Sequence, residues 1–543
     1  MGEKGQSCSH YNGTISSAGP FDVSPRSRGS LGSRDDGSSH RERSAGGTGS
    51  LTLRLEPFTR GELQKLHAAT VRVLERTGVR ILDPEAAKLL QAAGASYDDV
   101  TEIVRIPETV LKQLLMLAPS RFRLYGRAPD RVLAFGEGNT YFSSMGTAVQ
   151  VEDGHGSVRP PTLKDVESFY RLVDASPFLD HASWVVWPRD VPNEVVHIYE
   201  VLYGFKYSTK SLDGYNWGKL YTQDTLDMAA IVAGGRDELA QRPLLLGFTN
   251  PVSPLTLAKE TTEGLVGFAR AGQPCIMPPE CMAGGTAPST LAGVLVQQNA
   301  EVLASIAVAQ SVRPGAPVLY GSVSTVMDMR TGAVALGAPE AGLISLGAAQ
   351  LARYYGIPSR GTGGNTEALG VDYQAGAESA TTLLLSALAG FDFIYDVAGS
   401  LESSLTASYA KLILDEDLAG SVKRILSGVD VSEDTLATDV IEAVGLKGSY
   451  LSHPHTMDHF RQEHFLPETF LRISRASAKT AALKDRAQTR ADRILHDHKV
   501  DPPLDPAIES KLNAFLKKAL RRAPAAVPVP SASRVSTQAL STS

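Results

Sequence analysis

One stretch of the chain decides the fold class. It reads VLYGSVSTVMDMRTGAVALGAPEAGLISLGAAQLARYYGIPSRGTGGNT and runs from Val318 to Thr366. A short apolar run, Val318 to Gly321, is followed by an apolar helical pattern from Ala338 to Tyr354 and by a second short run, Ser359 to Gly361. Parallel strands need a long crossover, and a helix of this length supplies one. The stretch therefore predicts one βα unit of a parallel sheet.

The same alternation repeats from about Thr140 to Leu414. The predicted strands are Thr140 to Ser144, Ala182 to Trp187, Ser208 to Leu212, Leu244 to Thr249, Cys275 to Pro278, Val318 to Gly321, Ser359 to Gly361 and Asp392 to Tyr395. The predicted helices include Thr162 to Ala175, Asp224 to Val232, Ala258 to Ala271, Leu291 to Val312, Ala338 to Tyr354 and Ala375 to Leu388. About eight such units predict an α/β fold, a TIM (β/α)8 barrel. The alternative is an open doubly wound sheet, whose usual glycine-rich phosphate turn is missing from the sequence.

Other kinds of sequence flank the predicted barrel. We predict a disordered tail over 1–50, a helical and β lead-in packed on the barrel over 51–135, the barrel over 136–420, a C-terminal helical extension over 421–522 and a disordered tail over 523–543. The tails are poor in large apolar residues and cannot offset their ordering entropy. In the lead-in, Thr59 is a predicted helix N-cap, and Glu62 completes a capping box.

Composition and charge exclude several functional classes. The 543 residues are 43% hydrophobic and 21% charged, which is typical of a globular protein with a large core. A net charge of −6 provides no basic footprint for nucleic acid. We find no apolar run long enough to predict a membrane span and no secretory signal, and three cysteines cannot form a disulfide framework. We therefore predict a cytoplasmic protein with neither membrane nor nucleic acid as a partner.

Three linked motifs lie between Leu319 and Glu367. They are Tyr320-Gly321-Ser322 with Asp328-Met329-Arg330-Thr331-Gly332, then Ala352-Arg353-Tyr354-Tyr355-Gly356-Ile357-Pro358-Ser359-Arg360, and the loop Gly363-Gly364-Asn365-Thr366. Together they resemble the trimethylamine methyltransferase family, and the similarity extends from about Phe58 through the run His453 to Glu463. The resemblance implies a TIM-barrel enzyme that passes an N-methyl group to the Co(I) of a corrinoid held by a partner protein.

Asn365 departs from the founding members of that family. They carry pyrrolysine in the Gly-Gly-X-Thr loop, and an amide cannot form the corresponding imine adduct with a tertiary amine. The resemblance is therefore to the members without pyrrolysine, and it implies a small quaternary amine as substrate, glycine betaine or a related betaine. A quaternary ammonium loses a methyl group as a neutral tertiary amine and needs no such activation. The protein must supply orientation and a dry, shaped site.

A quaternary ammonium has no hydrogen-bond donor, so aromatic faces and negative potential must recognise it, each cation–π contact contributing about 0.5–2 kcal/mol. The predicted substrate-binding aromatics, which follow or end the predicted strands, are Trp184, Trp187, Tyr215, Trp217, Phe248 and Tyr320. The candidates for holding a substrate carboxylate are Arg330, Arg360 and His455. Under the resemblance, Asn365 and Glu280 are predicted to be catalytic, and Gly363, Gly364 and Ser322 to contact the cofactor.

Each candidate also has a structural interpretation. Aromatic residues near strand ends often belong to the core, Glu280 has the alternative of capping a helix, and Asn365 that of a turn residue. The histidines at 453, 455 and 459 lack a matching ligand set, so we predict no bound metal. The functional alternatives are a demethylase for another methylated amine or onium compound, and a betaine-binding protein without catalysis. We also predict a homo-oligomer, and the sequence leaves the individual betaine open.

Overall fold

A computed structural model describes residues 54–154, 157–475 and 481–522 of the chain. The two predicted disordered tails, 1–50 and 523–543, lie outside these residues.

Eight parallel strands form a closed barrel. They are β1 (Tyr141–Phe142), β2 (His181–Ala182), β3 (Ser211–Gly214), β4 (Leu245–Phe248), β5 (Cys275–Met277), β6 (Val318–Gly321), β7 (Ser359–Thr362) and β8 (Phe393–Tyr395). Each of β2 to β8 pairs in parallel with its neighbours in sequence, and β8 pairs with β1. A parallel bridge from Ser143 to His181 closes the circuit between β1 and β2. The predicted TIM barrel is confirmed.

One helix follows each strand on the outside of the barrel. They are α1 (Leu163–Ala175), α2 (Val196–Tyr207), α3 (Gly218–Ala233), α4 (Lys259–Ala271), α5 (Leu291–Val312), α6 (Pro339–Tyr355), α7 (Tyr373–Ala389) and α8 (Tyr409–Leu426). Side chains of Thr290, Asp372 and Ser408 accept the backbone N–H groups that α5, α7 and α8 leave without intrahelical partners. A short helix, Arg236–Gln241, lies between α3 and β4.

Two strand predictions are displaced from the observed strands. Residues 183–187, predicted as strand, form a loop after β2, and β3 begins at Ser211 rather than Ser208. The displacement brings Trp184 and Trp187 out of the sheet and puts Asp213 near the end of β3. Both changes affect the site described below.

Helix α5 bears on the expectation that no apolar run is long enough to span a membrane. By length and composition it is apolar enough to cross a membrane, but 72% of its most apolar window is buried inside the protein. It packs between the barrel and the N-terminal region, where the Asn299 side chain donates to Thr70 Oγ1 at 2.9 Å. Its composition reflects burial on two sides, as in a core helix.

The N-terminal region packs against the barrel. Its helices are Arg60–Arg76, Pro84–Ala92 and Glu108–Leu115, and its strands are Val79–Ile81, Ser96–Asp98 and Ile103–Arg105, with Thr256–Leu257 from the barrel pairing to the first strand. Thr59 and Glu62 form the predicted capping box. The following hairpin, Phe122–Tyr125 and Val132–Phe135, puts Leu124, Leu133 and Phe135 against the inward side chains of the barrel strands. The hairpin covers the amino ends of the strands, away from the cavity described below.

The C-terminal region consists of further helices. They are Glu433–Leu436, Thr438–Val444, the 3-10 turn Gly445–Lys447, Pro454–Glu463, Leu483–Asp497 and Pro506–Leu520. The last two return to the barrel: Leu483–Asp497 packs on α8 and α1, and Pro506–Leu520 packs on α2 and α3. At the end of the described chain, Arg522 forms an ion pair with Asp224 at 2.7 Å.

Candidate active site

A cavity of about 630 Å³ lies at the carboxyl ends of the barrel strands. Loops or strand ends from all eight βα units contribute to its wall, among them Thr147, Trp184, Asp213, Phe248, Glu280, Thr325, Arg360 and Asp396 in chain order. This is the face where TIM barrels carry their reactive groups. Small pairs of strands within the βα loops build up the rim, including Met282–Ala283 with Thr325–Met327 and Thr406–Ser408 with Gln150–Glu152.

Acidic side chains dominate the charge of the cavity. Glu200, Asp213, Glu280 and Asp396 line it, whereas Arg360 is the one cationic side chain among the described lining residues. Burial raises the pKa values of Glu200, Glu280 and Asp396, and the Arg360 guanidinium opposes that rise at Glu280 and Asp396. The cavity is therefore lined by more acidic than basic groups, and a bound cation would favour their ionised forms.

Three aromatic rings meet on one side of this cavity. Trp184 and Trp187 lie 4.9 Å apart between ring centroids, and Tyr215 lies 5.9 Å from Trp184 and 6.2 Å from Trp187. The Trp187 indole N–H donates to Asn193 Oδ1 at 3.2 Å, which fixes the plane of that ring. We call Trp184, Trp187 and Tyr215 the aromatic cluster. Its faces and the nearby carboxylates suit a large organic cation.

Arg360 lines another part of the cavity wall. Its guanidinium stacks over the rings of Tyr395 at 4.8 Å and Phe248 at 5.7 Å, and its Nη2 lies 3.9 Å from Asp396 Oδ2. Nη1 donates to the Ser322 carbonyl at 3.1 Å. The buried Nε has no acceptor among the described residues. Arg360 therefore brings the positive charge of its guanidinium to the cavity wall, with its Nε buried behind that wall.

Asp213 is held by groups from two other strands. Its Oδ1 lies 2.8 Å from His181 Nε2, and its Oδ2 accepts the Tyr395 hydroxyl at 2.5 Å. Because a carboxylate only accepts hydrogen bonds, Nε2 of His181 carries the proton in this arrangement. Asp213 is thus fixed in place as an acceptor facing the aromatic cluster.

The family comparison agrees with this architecture. A family model described as "Trimethylamine methyltransferase (MTTB)" matches residues 27–524. The chain belongs to the trimethylamine methyltransferase family. It is 36% identical over 472 residues to a glycine betaine methyltransferase of Desulfitobacterium hafniense (strain Y51), covering 86% of this chain and 98% of that protein.

Two trimethylamine methyltransferases are also similar. One from Desulfitobacterium hafniense (strain DSM 10664 / DCB-2) is 36% identical and spans 82% of this chain and 91% of its own length. One from Methanosarcina barkeri is 34% identical and spans 86% of this chain and 96% of its own length. A methyltransferase activity is therefore supported for this chain.

Most of the predicted aromatic residues and two of the predicted charged residues lie together in the structure. Trp184, Trp187, Tyr215, Trp217, Phe248, Glu280 and Arg360 all line the cavity. Glu280 accepts a hydrogen bond from the Asn250 side chain at 3.0 Å, which restricts the orientation of its carboxyl group. Trp217 is 45% exposed, so it lies at the rim of the cavity and not in an enclosed part of it.

Other predicted residues lie elsewhere, contrary to expectation. Tyr320 is fully buried and donates to Asn299 Oδ1 at 3.0 Å, because alternate residues of β6 face the outer helices and not the barrel interior. Arg330 is exposed and pairs with Asp328 at 2.6 Å in a surface turn. His455 lies in the C-terminal helix Pro454–Glu463, with its ring 4.2 Å from that of His459.

The predicted cofactor contacts are also behind the cavity wall. Ser322 is buried and donates to Gln298 at 2.8 Å. Gly364 has a φ of +87°, and a Cβ there would lie 2.6 Å from the Asp396 carbonyl and 2.5 Å from that of Val397. Gly364 therefore allows the loops after β7 and β8 to approach closely, whereas a Cβ on Gly363 would lie 2.9 Å from the Leu383 Cα of α7. Neither glycine lines the cavity.

Asn365 lies directly behind Asp396. The Thr362 hydroxyl lies 2.9 Å from both Asn365 Oδ1 and Asp396 Oδ2. A hydroxyl has one proton, so Thr362 donates to one of these two oxygens or shares its proton between them. Asn365 is fully buried and does not line the cavity; its side chain contacts Thr362, which in turn contacts the cavity residue Asp396. A catalytic role for Asn365 therefore stays a prediction beside the alternative of a turn residue.

Sequence reasoning missed three acidic groups of the site. Asp213 and Asp396 end or follow strands, and the rule that reactive groups follow barrel strands would have identified both. Glu200 comes from the middle of helix α2 and carries no sequence signal. Within the described residues, no group of three or more His, Cys, Asp or Glu side chains is arranged to hold a metal ion.

Proposed function

We propose that this protein transfers a methyl group from a small quaternary amine with a carboxylate, glycine betaine or a related betaine, to a corrinoid carried by a partner protein. The observation that carries the proposal is the cavity that combines the aromatic cluster, four carboxyl groups and one buried arginine. The similarity to a glycine betaine methyltransferase over nearly its whole length supports the same substrate class.

The charge distribution supports a zwitterionic substrate. The onium end of a betaine fits beside Trp184, Trp187 and Tyr215, where aromatic faces substitute for hydrogen bonds that a quaternary nitrogen cannot make. The carboxylate end fits the guanidinium of Arg360, the one cationic group among the described residues that line the cavity. A trimethylated cation without a carboxylate would gain nothing from this group.

The rim of the barrel supports delivery of the corrinoid by another protein. Loops after the strands expose several large apolar side chains to solvent: Val149, Val252, Met329, Leu369, Tyr373 and Leu405. Exposed apolar side chains that form a continuous patch are typical of a protein-binding surface, and we propose that these loops contribute to one. A Co(I) corrinoid supplies the nucleophile for methyl transfer, and the chain itself orients the methyl group towards the open mouth and excludes water from it.

Asn365 supports a quaternary over a tertiary substrate. The resemblance of the Gly-Gly-X-Thr loop implies that Asn365 occupies the position of pyrrolysine in the founding members of the family, and its buried amide has no route to a covalent adduct with an amine. We therefore expect glycine betaine to be demethylated and trimethylamine to remain unchanged.

The test is product formation with the full-length protein. Purified protein, reduced cobalamin and a panel of glycine betaine, proline betaine, carnitine, choline and trimethylamine are incubated together, and the amine products are separated by chromatography. We expect a betaine to lose one methyl group, as dimethylglycine in the case of glycine betaine. Absence of a demethylated product from every quaternary amine, with free cobalamin and with the corrinoid protein encoded beside the gene, would overturn the proposal.

A further inference from the structure

Glu200 stands out as a buried carboxyl group that the sequence patterns did not indicate. Its side chain is 3% exposed, yet it lines the cavity. Within the described residues, its Oε2 has no hydrogen-bond partner, and no Lys or Arg forms an ion pair with it. A buried acid without a partner destabilises a fold, so its presence in a cavity wall calls for a functional explanation.

The surroundings of Glu200 contain acids and phenols. Asp213 on β3 repels a negative charge on Glu200. Burial, and after it the charge of Glu200, raises the pKa values of Tyr170 on α1 and Tyr215 in the loop after β3, so both phenols stay neutral. Burial raises the pKa of Glu200 well above its ordinary value, and Asp213 adds to the rise. Arg360, the cation of the cavity, interacts with Asp396, Glu280 and Asp213 instead. Without a ligand, burial and Asp213 both favour the neutral acid form of Glu200.

The same position suits recognition of a cation. Tyr215 belongs to the aromatic cluster and also interacts electrostatically with Glu200. Burial, and after it the charge of Glu200, raises the pKa of Tyr215 to about 12. An onium group held by the cluster therefore lies on the Glu200 side of the cavity, opposite in charge to the carboxylate. Attraction between the two favours the ionised form of Glu200 when the ligand is present.

From this arrangement we infer that Glu200 is the specificity-determining residue for the positive charge of the substrate, and that binding of a quaternary ammonium releases its proton to solvent. The proton is the only group lost: a neutral carboxylic acid and a free cation become a carboxylate, a bound cation and a solvated proton. This inference rests on the proposed substrate class and does not require methyl transfer.

Paired ligands separate charge recognition from shape. Glycine betaine and its carbon isostere 3,3-dimethylbutanoate have the same outline and carboxylate, and they differ in whether the central atom carries a positive charge. We expect the wild-type protein to prefer glycine betaine by at least about tenfold, and Glu200→Gln to lose most of that preference while its affinity for the isostere changes little. The matched control is Glu238→Gln, an exposed residue of helix Arg236–Gln241 at the amino end of the barrel.

Titration calorimetry in phosphate and in Tris buffer measures the number of protons released when the ligand binds. For the wild type, the binding enthalpy should differ between the two buffers in the direction that indicates proton release. For Glu200→Gln, this difference should be smaller. Thermal unfolding guards against a folding defect, because the isosteric amide should leave Tm equal or higher.

The outcomes separate the two proposals. Equal weakening of both ligands in Glu200→Gln, or proton release that the substitution does not reduce, would overturn the role of Glu200. Betaine binding that releases a Glu200-dependent proton, without methyl transfer to any corrinoid, would support this inference and overturn the proposed function.

Discussion

The Tyr395 hydroxyl donates a hydrogen bond to Asp213 across the interior of the barrel, joining β8 to β3 at 2.5 Å. These two residues are 182 positions apart in the sequence. The bond holds the Asp213 carboxylate towards the cavity, with His181 on its other oxygen. The electrostatic character of the site therefore depends on contacts between strands that are not neighbours in the sheet.

Tyr395→Phe should destabilise the protein. The substitution leaves Asp213 Oδ2 with a 3.4 Å contact from the Trp184 backbone N–H. We expect the free energy of unfolding to fall by about 1–3 kcal/mol, the usual cost of a buried acceptor that loses its donor. Denaturant unfolding measures the change, with Tyr203→Phe on the outward helix α2 as the control. Equal loss of stability in both variants would contradict the special role of this hydrogen bond.

Trp184→Leu should weaken binding of quaternary amines. Trp184 is 4% exposed and contacts both other rings of the aromatic cluster. Removing one aromatic face should cost about 0.5–2 kcal/mol of binding free energy, and Trp184→Phe should retain part of it. Calorimetry with glycine betaine measures the series. If the Trp184→Leu and Trp184→Phe variants bind glycine betaine equally well, the indole contributes by filling space and not through its π face.

Arg360→Lys should discriminate between ligands with and without a carboxylate. Lysine keeps the positive charge beside Asp396 but loses the planar fork that binds a carboxylate through two donors. We expect affinity for glycine betaine to fall on the order of tenfold and affinity for tetramethylammonium to change little. Parallel titrations of the two ligands measure this difference. A similar loss for both would mean that Arg360 acts on the shape of the cavity.

Asp165→Asn should lower stability near neutral pH and have less effect in acid. Asp165 is buried, accepts hydrogen bonds from Arg159 and Tyr409, and has a pKa lowered to about 2. Because the pKa in the folded state is depressed, the stabilisation is full above the ordinary value near 3.8 and is lost as pH falls towards about 2. We expect a loss of about 2 kcal/mol at pH 7.

The measurement for Asp165 is urea unfolding at pH 7 and at pH 3. The difference between wild type and Asp165→Asn should shrink at the lower pH, and the exposed Asp130→Asn should change little at either. A difference that stays constant between the two pH values would show that the ionisation of Asp165 does not carry the stabilisation.

Local pattern predicted the fold and part of the site. Short apolar runs and intervening helices indicated eight βα units, and the residues after those runs included Trp184, Trp187, Tyr215 and Glu280. Tyr320 was predicted wrongly to face the site, because the pattern indicates where β6 ends but not the direction of its side chains. The turn that holds Arg330 likewise follows β6, and Arg330 is exposed there and does not line the cavity.

The amino-acid sequence by itself determined the barrel and the family, because strand length, crossover length and linked motifs are properties of contiguous residues. Tertiary structure alone decided which distant groups share the cavity. Glu200 reaches it from a helix, Asp213 is held by Tyr395 across the barrel, and Asn365 lies behind Thr362 and Asp396. The physical reason is that cavity chemistry depends on side-chain direction and on the closure of strands far apart in the chain, which no local periodicity encodes.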